Sequence, residues 1–409
     1  MRFLIFVFLF VGLSATTTSE LKAQDKASYI YGKITTHSGE EYVGFMRWGK
    51  EELFWHDIFN SEKIDDQHYK VAKKSNQKDN KWYEFDWSWS SIWEDKYRTS
   101  AHTFACLFGD IKSIDVLRDS KVIVELKDGS KLNLRGGSND IGTTVKLTDY
   151  ELGLISFDWN KIDKIEFLGA SSRVELPYAA PIYGTLHTRR NGQFTGFVKW
   201  DLDERTLEDV LDGDSNIGDQ KLPFKSIKTI TKEGNGAHIT LKSGREIYLT
   251  GSNDVNGSNR GIALYHEDIG SIEVPWKEFK SLTLADKAPA GPSYESFEAP
   301  KGLSGVVQTY NDKRFEGMLV FDIDEKYEIE LLDGNDDAIE YQIPFRNITK
   351  ILPKNSSYSI VRLTSGDELL LGDSQDVSAK NDGILVFVKN QKDPHYIAWD
   401  DIDFVQINK

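Results

Sequence analysis

The amino-acid sequence predicts an all-β protein in which one unit is written three times in tandem. Apolar residues alternate on either side of tight turns: Ile239 and Leu241 precede Gly244, and Ile247 and Leu249 follow it. This pattern is typical of two short strands joined by a turn. No long amphipathic helical pattern occurs outside the N-terminus. Finally, glycine, aromatic and acidic residues recur at fixed offsets, which indicates internal repeats.

Each copy opens with two glycines that are 12 residues apart. After each first glycine, a threonine follows at offset 4, a large aromatic residue at offset 16 and an acid at offset 25. The glycine pairs are Gly32 and Gly44, Gly184 and Gly196, and Gly305 and Gly317. The residues that follow them are Thr36, Trp48 and Asp57, then Thr188, Trp200 and Asp209, then Thr309, Phe321 and Glu330. Residues at one offset are expected to have equivalent surroundings.

Each half of a copy ends on an aromatic residue with apolar residues three and six positions later. A spacing of three fits a single 3₁₀ turn before the last strand. The six aromatic residues are Phe108, Trp159, Phe224, Trp276, Phe345 and Trp399. Hairpin, bent strand, 3₁₀ turn and strand in this order resemble the small SH3-like and Sm-like barrels, which implies a pair of such barrels in each copy. A six-bladed β-propeller, with one half-copy per blade, is the alternative.

The copies are expected at residues 29–168, 181–285 and 302–409, joined by linkers that contain proline. A chain of 409 residues accommodates three units of this size. The first copy carries an insertion, placed at residues 61–105, that the other two lack.

The N-terminal residues 1–24 predict a secretory signal peptide. A basic start is followed by an apolar run, Phe3 to Leu13, that is too short to span a bilayer as a mature helix. We therefore expect an exported protein, periplasmic or extracellular, without an integral membrane segment. The formal net charge of −15 disfavours binding to nucleic acid phosphates. The barrel resemblance also brings no RNA site, because no basic or aromatic loop recurs in all copies.

Cys106 is the single cysteine of the chain, so no intrachain disulfide can form. It lies just before the aromatic segment that begins at Phe108. A small buried apolar residue is the interpretation that this position favours, because buried free thiols are inert. A pairing between chains or a nucleophilic role is the alternative.

The insertion in the first copy holds four of the ten tryptophans of the chain. Phe85, Trp87 and Trp89 alternate, so they would share one face of a strand. Such rows stack on sugar rings or anchor protein partners. The candidate partner-binding residues are Trp82, Phe85, Trp87, Trp89 and Trp93. The alternative is that the row packs back on its own barrel or on the second copy.

A second candidate site is an acidic corner after the second strand of copies two and three. Alternating carboxylates can surround Ca²⁺, which takes six to eight oxygen ligands. The candidate metal ligands are Asp201, Asp203, Glu204, Asp322, Asp324 and Glu325. Copy one reads Gly49-Lys50-Glu51-Glu52 at this place and lacks the first acid. A solvated turn without metal is the alternative, and no other cofactor is expected.

The sequence contains no local catalytic signature, and we assign no catalytic residue. Its eight histidines form no close pair, and it lacks a His-Glu-x-x-His motif, a Gly-x-Ser-x-Gly elbow and a phosphate-binding glycine loop. We therefore expect a non-catalytic exported binding or scaffold protein that presents loops and the aromatic insertion to a glycan or protein partner. The alternative is a glycan-acting hydrolase whose carboxylate pair lies in a groove between modules.

Overall fold

The fold was analysed in a computed structural model, which describes residues 26–64, 103–118, 120–136, 140–171, 174–190 and 192–409. The expected all-β class is confirmed, and no helix of seven or more residues occurs in these ranges. Within the same ranges, no helix combines the length and the apolar character needed to cross a bilayer. We call residues 29–168, 181–285 and 302–409 segments 1, 2 and 3.

Segment 1 forms one open, antiparallel sheet of ten strands. Its strands are β1 (Tyr31–Thr36), β2 (Glu41–Trp48), β3 (Ile58–Lys63), β4 (Thr103–Leu107), β5 (Ile111–Val116), β6 (Lys121–Leu126), β7 (Lys131–Arg135), β8 (Val145–Asp149), β9 (Gly153–Phe157) and β10 (Ile162–Phe167). Neighbouring strands follow the order β4-β3-β7-β6-β5-β10-β1-β2-β8-β9. The hairpin of β3 and β4 carries the insertion, and residues 61–63 and 103–105 belong to these two strands.

Segments 2 and 3 each contain ten further strands. Segment 2 holds β11 (Tyr183–Thr188), β12 (Gln193–Trp200), β13 (Val210–Ser215), β14 (Gly218–Pro223), β15 (Ile227–Glu233), β16 (Gly236–Leu241), β17 (Glu246–Leu249), β18 (Ile262–His266), β19 (Gly270–Val274) and β20 (Phe279–Leu284). Segment 3 holds β21 (Ser304–Thr309), β22 (Arg314–Val320), β23 (Leu331–Asp336), β24 (Ile339–Pro344), β25 (Ile348–Pro353), β26 (Tyr358–Leu363), β27 (Glu368–Gly372), β28 (Ile384–Val388), β29 (His395–Ile397) and β30 (Ile402–Ile407).

Strand pairing follows the same order in all three segments. Segment 3 runs β24-β23-β27-β26-β25-β30-β21-β22-β28-β29. Segment 2 runs β17-β16-β15-β20-β11-β12-β18-β19, and an isolated bridge joins Asp214 of its β13–β14 hairpin to Thr250, the residue after β17. A ladder between β19 and β24 joins segments 2 and 3 into one large sheet.

The expectation of paired small barrels is wrong in one respect, because the sheets do not close into barrels. The two halves of segment 1 share a continuous ladder through β5 and β10, and the outer strands β4 and β9 stay apart. The six-bladed alternative fails for the same reason, since separate blades would not share a ladder. Edge strands therefore persist in this fold, whereas closure would have removed them.

The glycine pairs allow the strands to approach closely at the centre of each segment. Gly184 lies directly opposite Gly196, and the same holds for Gly32 with Gly44 and for Gly305 with Gly317. A β-carbon on any of these six glycines would overlap a backbone carbonyl oxygen of a neighbouring strand. Glycine is required here by proximity, since none of the six has a positive φ.

The repeated aromatic residues form the centre of each core. Trp48 packs against Phe108 and Trp159, with ring centroids 5.2 and 5.7 Å apart. Trp200 meets Phe224 and Trp276 in the same way, and Phe321 meets Phe345 and Trp399. Five of the six closing aromatic residues begin a 3₁₀ turn, as predicted, and Trp276 begins an ordinary turn. Cys106 is buried in the core of segment 1, which agrees with the interpretation as an apolar residue.

The two linkers pack onto segment 1. The hydroxyl of Tyr29 donates a hydrogen bond to the carbonyl oxygen of Ala179 at 2.7 Å. Lys127 Nζ donates to the carbonyl oxygen of Phe297 at 2.8 Å, and the hydroxyl of Tyr294 donates to that of Ile111 at 3.0 Å. Both linkers therefore hold segment 1 against the rest of the chain.

Candidate functional site

The predicted aromatic surface lies outside the described residues. Trp82, Phe85, Trp87, Trp89 and Trp93 all belong to the range 65–102. Their role as a partner-binding surface stays a prediction.

The acidic corner of segment 2 brings its three carboxylates together, but a cationic side chain lies among them. Asp201, Asp203 and Glu204 each offer a carboxylate oxygen within 4.8 Å of the others. The Arg260 guanidinium lies 3.0 Å from Asp201 and 2.7 Å from Asp203. The Arg260 main-chain N–H also donates to Asp201 at 2.6 Å. A cationic side chain of the same segment thus offsets part of the negative charge of the corner.

The acidic corner of segment 3 is arranged differently. Lys63, on β3 of segment 1, lies 2.7 Å from Asp324 and 2.6 Å from Glu330. Asp322 accepts a hydrogen bond from the main-chain N–H of Asp382, and Glu325 is buried. In the part of the chain that the structure describes, this corner does not form a three-carboxylate group of the kind found in segment 2. The positive charge here comes from another segment and joins segments 1 and 3.

The acids at offset 25 close the turn that follows this corner. One oxygen of Asp57 accepts hydrogen bonds from the main-chain N–H groups of Leu53 and Phe54, at 2.6 and 2.8 Å. Asp209 and Glu330 make the same pair of bonds, four and three residues upstream. These positions recur in the sequence because each turn needs its backbone donors satisfied.

Where the three segments meet, the structure contains a polar cavity of about 500 Å³. Segment 1 contributes the turn from Glu51 to Asn60, and segment 2 contributes β12, β18 and β19. Gln342 adds a contact from β24 of segment 3. The volume falls in the range of small-molecule sites. A cavity of about 820 Å³ is lined by segment 1 and the linker that follows it, and one of about 470 Å³ is lined by segments 1 and 2.

His56 is a buried wall of this cavity, with an exposed fraction of 3%. The centroid of its ring lies 4.5 Å from that of Tyr265, 4.8 Å from that of Phe197 and 5.2 Å from that of Phe54. Burial lowers the pKa of His56 to about 3, so the imidazole is neutral. Within the described residues, neither ring nitrogen has a hydrogen-bond partner. A buried polar group without a partner costs free energy.

Two carboxyl groups of the cavity titrate far above their usual range. Burial raises the pKa of Glu52 to about 8, because the loss of water outweighs the attraction of Lys199 at 3.5 Å. Burial also raises the pKa of Asp140 to about 7, although the Asn60 main-chain N–H donates to this carboxyl at 2.6 Å. Near neutral pH, both carboxyls carry protons in part and can donate as well as accept hydrogen bonds.

A buried ion pair fixes the geometry of the cavity. Arg205 of segment 2 pairs with Asp57 of segment 1, and each side chain is 5% exposed. Burial has the largest single effect on Asp57 and would raise its pKa, but the charge and hydrogen bond of Arg205, with weaker attractions from other neighbours, together outweigh burial and hold that pKa below its usual range. A second Arg205 nitrogen donates to the carbonyl oxygen of Glu51 at 3.0 Å. The carboxylate of Asp57 therefore stays ionised beside the neutral imidazole of His56.

Comparison with known proteins adds no assignment. No protein-family model matches the chain, and no curated protein matches it. A solved structure that it resembles weakly is the nematode sperm cell motility protein MFP2B. The identity is 9%, over 86% of this chain and 88% of that chain, with a TM-score of 0.11. A TM-score of this size carries no argument, and the candidate site has to be judged on its own chemistry.

Sequence reasoning named several residues of the cavity without recognising the site. Asp57 was a repeat marker, Glu52 was part of an incomplete acidic corner, and His56 was one of eight scattered histidines. The available signal was the Phe54-Trp55-His56-Asp57 run, in which aromatic residues surround two titratable groups. Nothing in the sequence places this run against β12 and β18 of another segment.

Proposed function

We propose that the protein is a non-catalytic, exported binding protein whose ligand site is the cavity between its three segments. The observation that carries the proposal is His56, a neutral and nearly fully buried imidazole that lines a cavity with both ring nitrogens unpaired among the described residues. Support also comes from the aromatic rings of Phe197 and Tyr265 beside it.

The chemistry of the walls favours an uncharged, hydroxyl-rich ligand such as a short glycan. A neutral imidazole and protonated carboxyls offer both donors and acceptors, which match the hydroxyl groups of a sugar. Aromatic rings pack against the apolar faces of sugar rings. An anion would meet Asp57 and Glu51, and a cation would meet Arg205 and Lys199. A ligand of either charge would therefore be repelled by two side chains of the same charge.

Binding of glycans by residues 25–409 tests the proposal. The wild-type protein is expected to retain at least one glycan on an array of neutral oligosaccharides. His56→Phe keeps a flat ring but removes both nitrogens, so we expect a loss of about tenfold or more in affinity. The matched control is His238→Phe, which changes a half-exposed histidine outside the cavity. A wild-type protein that retains no glycan would contradict the proposal.

The same array distinguishes the cavity from the aromatic insertion. If the Trp87→Ala/Trp89→Ala double variant loses binding while His56→Phe binds normally, then the ligand or partner site lies in the insertion. If both variants lose binding, then one ligand contacts both places.

A second candidate function is glycan hydrolysis, which the raised pKa values of Glu52 and Asp140 favour. A general acid for glycoside cleavage needs a carboxyl that keeps its proton near neutral pH, and a second carboxylate completes the pair. Both groups line the same cavity. Incubation of wild-type protein and Glu52→Gln with labelled neutral oligosaccharides tests this candidate. Cleavage by the wild type that falls at least about 100-fold in the variant would support an enzyme; retention without cleavage supports the binding protein.

Export and threefold internal repetition belong to the same proposal. The basic and apolar start of the chain supports removal of residues 1–24 during export. The shared order of strand pairing supports three copies of one unit. Sequencing the N-terminus of the protein recovered from its native compartment tests the first point, and an intact Met1 would contradict it.

A further inference from the structure

We propose that the protein self-associates head to tail, through pairing of strand β9 of one molecule with strand β14 of the next. Among the described strands, β4, β9, β14 and β29 each have one partner strand, and β9 and β14 are the last and first strands that lack the pairing made by their counterparts β19 and β24. This inference is independent of the cavity and of its ligand.

The ladder between β19 and β24 is the internal example. Strand β19 is the last strand of the sheet order in segment 2, and β24 is the first in segment 3. They pair in antiparallel fashion, with Ser271, Ile272 and Glu273 opposite Gln342, Tyr341 and Glu340. Asn347 Nδ2 adds a hydrogen bond to the carbonyl oxygen of Glu267 at 2.9 Å. In this chain, a last strand therefore recognises a first strand.

Strand β9 is the last strand of segment 1 and takes the place that β19 has in segment 2. Among the described strands it pairs with β8 alone. Natural edge strands are usually protected by charges, prolines or bulges. Here the edge and its hairpin instead carry three large exposed apolar side chains: Tyr150, Leu152 and Leu154 are 73%, 67% and 65% exposed.

The apolar character is specific to segment 1. The same hairpin in segment 2 reads His266-Glu267-Asp268-Ile269, and in segment 3 it reads Lys389-Asn390-Gln391-Lys392-Asp393. Ile269, the apolar residue of the segment 2 hairpin, packs against the core, so among the three described hairpin turns only that of segment 1 exposes large apolar side chains. An apolar patch beside open backbone groups is typical of a surface that binds a further strand.

Strand β14 is the complementary edge. It takes the place in segment 2 that β24 has in segment 3, and both strands end on proline, at Pro223 and Pro344. Among the described strands it pairs with β13 alone. Phe224 N donates across this hairpin to Asp209 O at 3.0 Å. Because bonding alternates along an antiparallel strand, the N–H groups of Lys221 and Asp219 point away from β13.

The register of the internal ladder transfers without conflict of charge. Suppose that β9 pairs with β14 in the register that β19 has with β24. Leu154 then lies opposite Lys221, Ile155 opposite Gln220 and Ser156 opposite Asp219. No like charges face each other, whereas the internal ladder places Glu273 opposite Glu340. The lysine stem can lie along the apolar patch of the hairpin.

Pairing of two different edges generates a particular kind of assembly. Each molecule offers one β9 and one β14, so the contact is heterologous and leaves a free edge at each end. Chains of molecules or closed rings result, and their mean size grows with protein concentration. Pairing of β9 with β9 of a second molecule would instead give a symmetric dimer that does not grow further.

Sedimentation velocity of residues 25–409 at about 100 μM tests the inference, since this concentration populates associations with a Kd of about 10 μM or tighter. The wild type is expected to form dimers and larger species. Leu152→Asp/Leu154→Asp blocks β9, and Lys221→Pro removes an outward N–H from β14. Each variant alone is expected to be monomeric, and an equimolar mixture of the two is expected to form dimers that grow no further.

Controls separate edge pairing from unfolding and from unspecific contacts. Thermal melting has to show that both variants are folded, and Leu370→Asp removes an exposed leucine of β27, away from both edges, without changing association. A monomeric wild type overturns the inference. Association that persists in Lys221→Pro alone, or monomers in the mixture, overturns the assignment of β14 as the partner.

Discussion

At the scale of single residues, the repeated glycines and acids are explained by backbone atoms. The glycine pairs leave room for a carbonyl oxygen of the next strand, and the acids at offset 25 accept main-chain hydrogen bonds. Neither role depends on a ligand. A residue type recurs in all three segments because the same backbone atom needs it in each.

Gly196→Ala is expected to lower the free energy of unfolding by about 2 kcal/mol or more. The added methyl group would overlap the carbonyl oxygen of Tyr265, which the ladder between β12 and β18 holds in place. The control is Gly257→Ala, where a β-carbon meets nothing within 4 Å. Urea unfolding measures both, and equal stability of the two variants would contradict the role of close approach.

Arg205→Met is expected to destabilise the protein by about 3–5 kcal/mol, because it leaves Asp57 charged and buried. The double variant Asp57→Asn/Arg205→Met should recover part of this loss, since asparagine can still accept the two turn hydrogen bonds. Arg314→Met, which removes an exposed pair with Glu316, is the control. Denaturant unfolding measures these effects, and a loss for Arg205→Met as small as for the control would contradict the prediction.

At the scale of secondary-structure elements, the order of pairing shows which strands are edges. Among the described strands, β4, β9, β14 and β29 are edges, and β19 and β24, the counterparts of β9 and β14, bind each other. The ladder between segments 2 and 3 contains one unfavourable pair, Glu273 opposite Glu340. Burial raises the pKa of Glu273, and the charge of Glu340 raises it further.

Glu340→Gln is expected to stabilise the protein by about 0.2–1 kcal/mol, because like charges directly opposite each other weaken a ladder. The same change should lower the pKa of Glu273. Thermal melting and NMR titration measure the two effects. Glu246→Gln, on the exposed side of β17, is the control and should leave both unchanged. An unchanged pKa of Glu273 would show that the two carboxylates do not interact.

At the scale of the whole molecule, buried ionic contacts connect the segments. Arg205 joins segments 1 and 2, and Lys63 and Arg346 join segments 1 and 3, the latter through Asp110 at 2.6 Å. Such pairs contribute little net stability, but each is costly to break. They fix how the segments meet, and so they shape the cavity.

The shifted pKa values of Glu52, Asp140 and His56 predict how the stability of the protein depends on pH. The pKa values of Glu52 and Asp140 are raised to about 8 and about 7, so the folded protein keeps protons that the unfolded chain has released. Stability from these groups is complete below about pH 4 and is lost as the pH rises through 7 to 8. His56 acts in the opposite sense: its lowered pKa makes stability fall as the pH drops below about 6.5.

Glu52→Gln should therefore flatten the decline of stability between about pH 5 and pH 8. The measurement is the free energy of unfolding across this range, with Glu246→Gln as a control that leaves the slope unchanged. A variant with the wild-type slope would show that Glu52 does not titrate as its burial requires.

The sequence by itself determined the β class, the positions of turns and of five of the six 3₁₀ connections, and the offsets at which glycine, aromatic and acidic residues recur. These features depend on local alternation and on fixed offsets, which a single chain displays directly. The sequence could not show whether the sheets close, because closure depends on pairing between strands far apart in the chain.

Only the tertiary structure decided the candidate site. His56 and Glu52, on the turn from Glu51 to Asn60, and Asp140, between β7 and β8, acquire their shifted pKa values because packing of the segments excludes water from them. Likewise, Lys63 meets Asp324 only because β3 packs against another segment. Burial and charge pairing between distant residues are properties of the packed molecule, and no local pattern in the sequence encodes them.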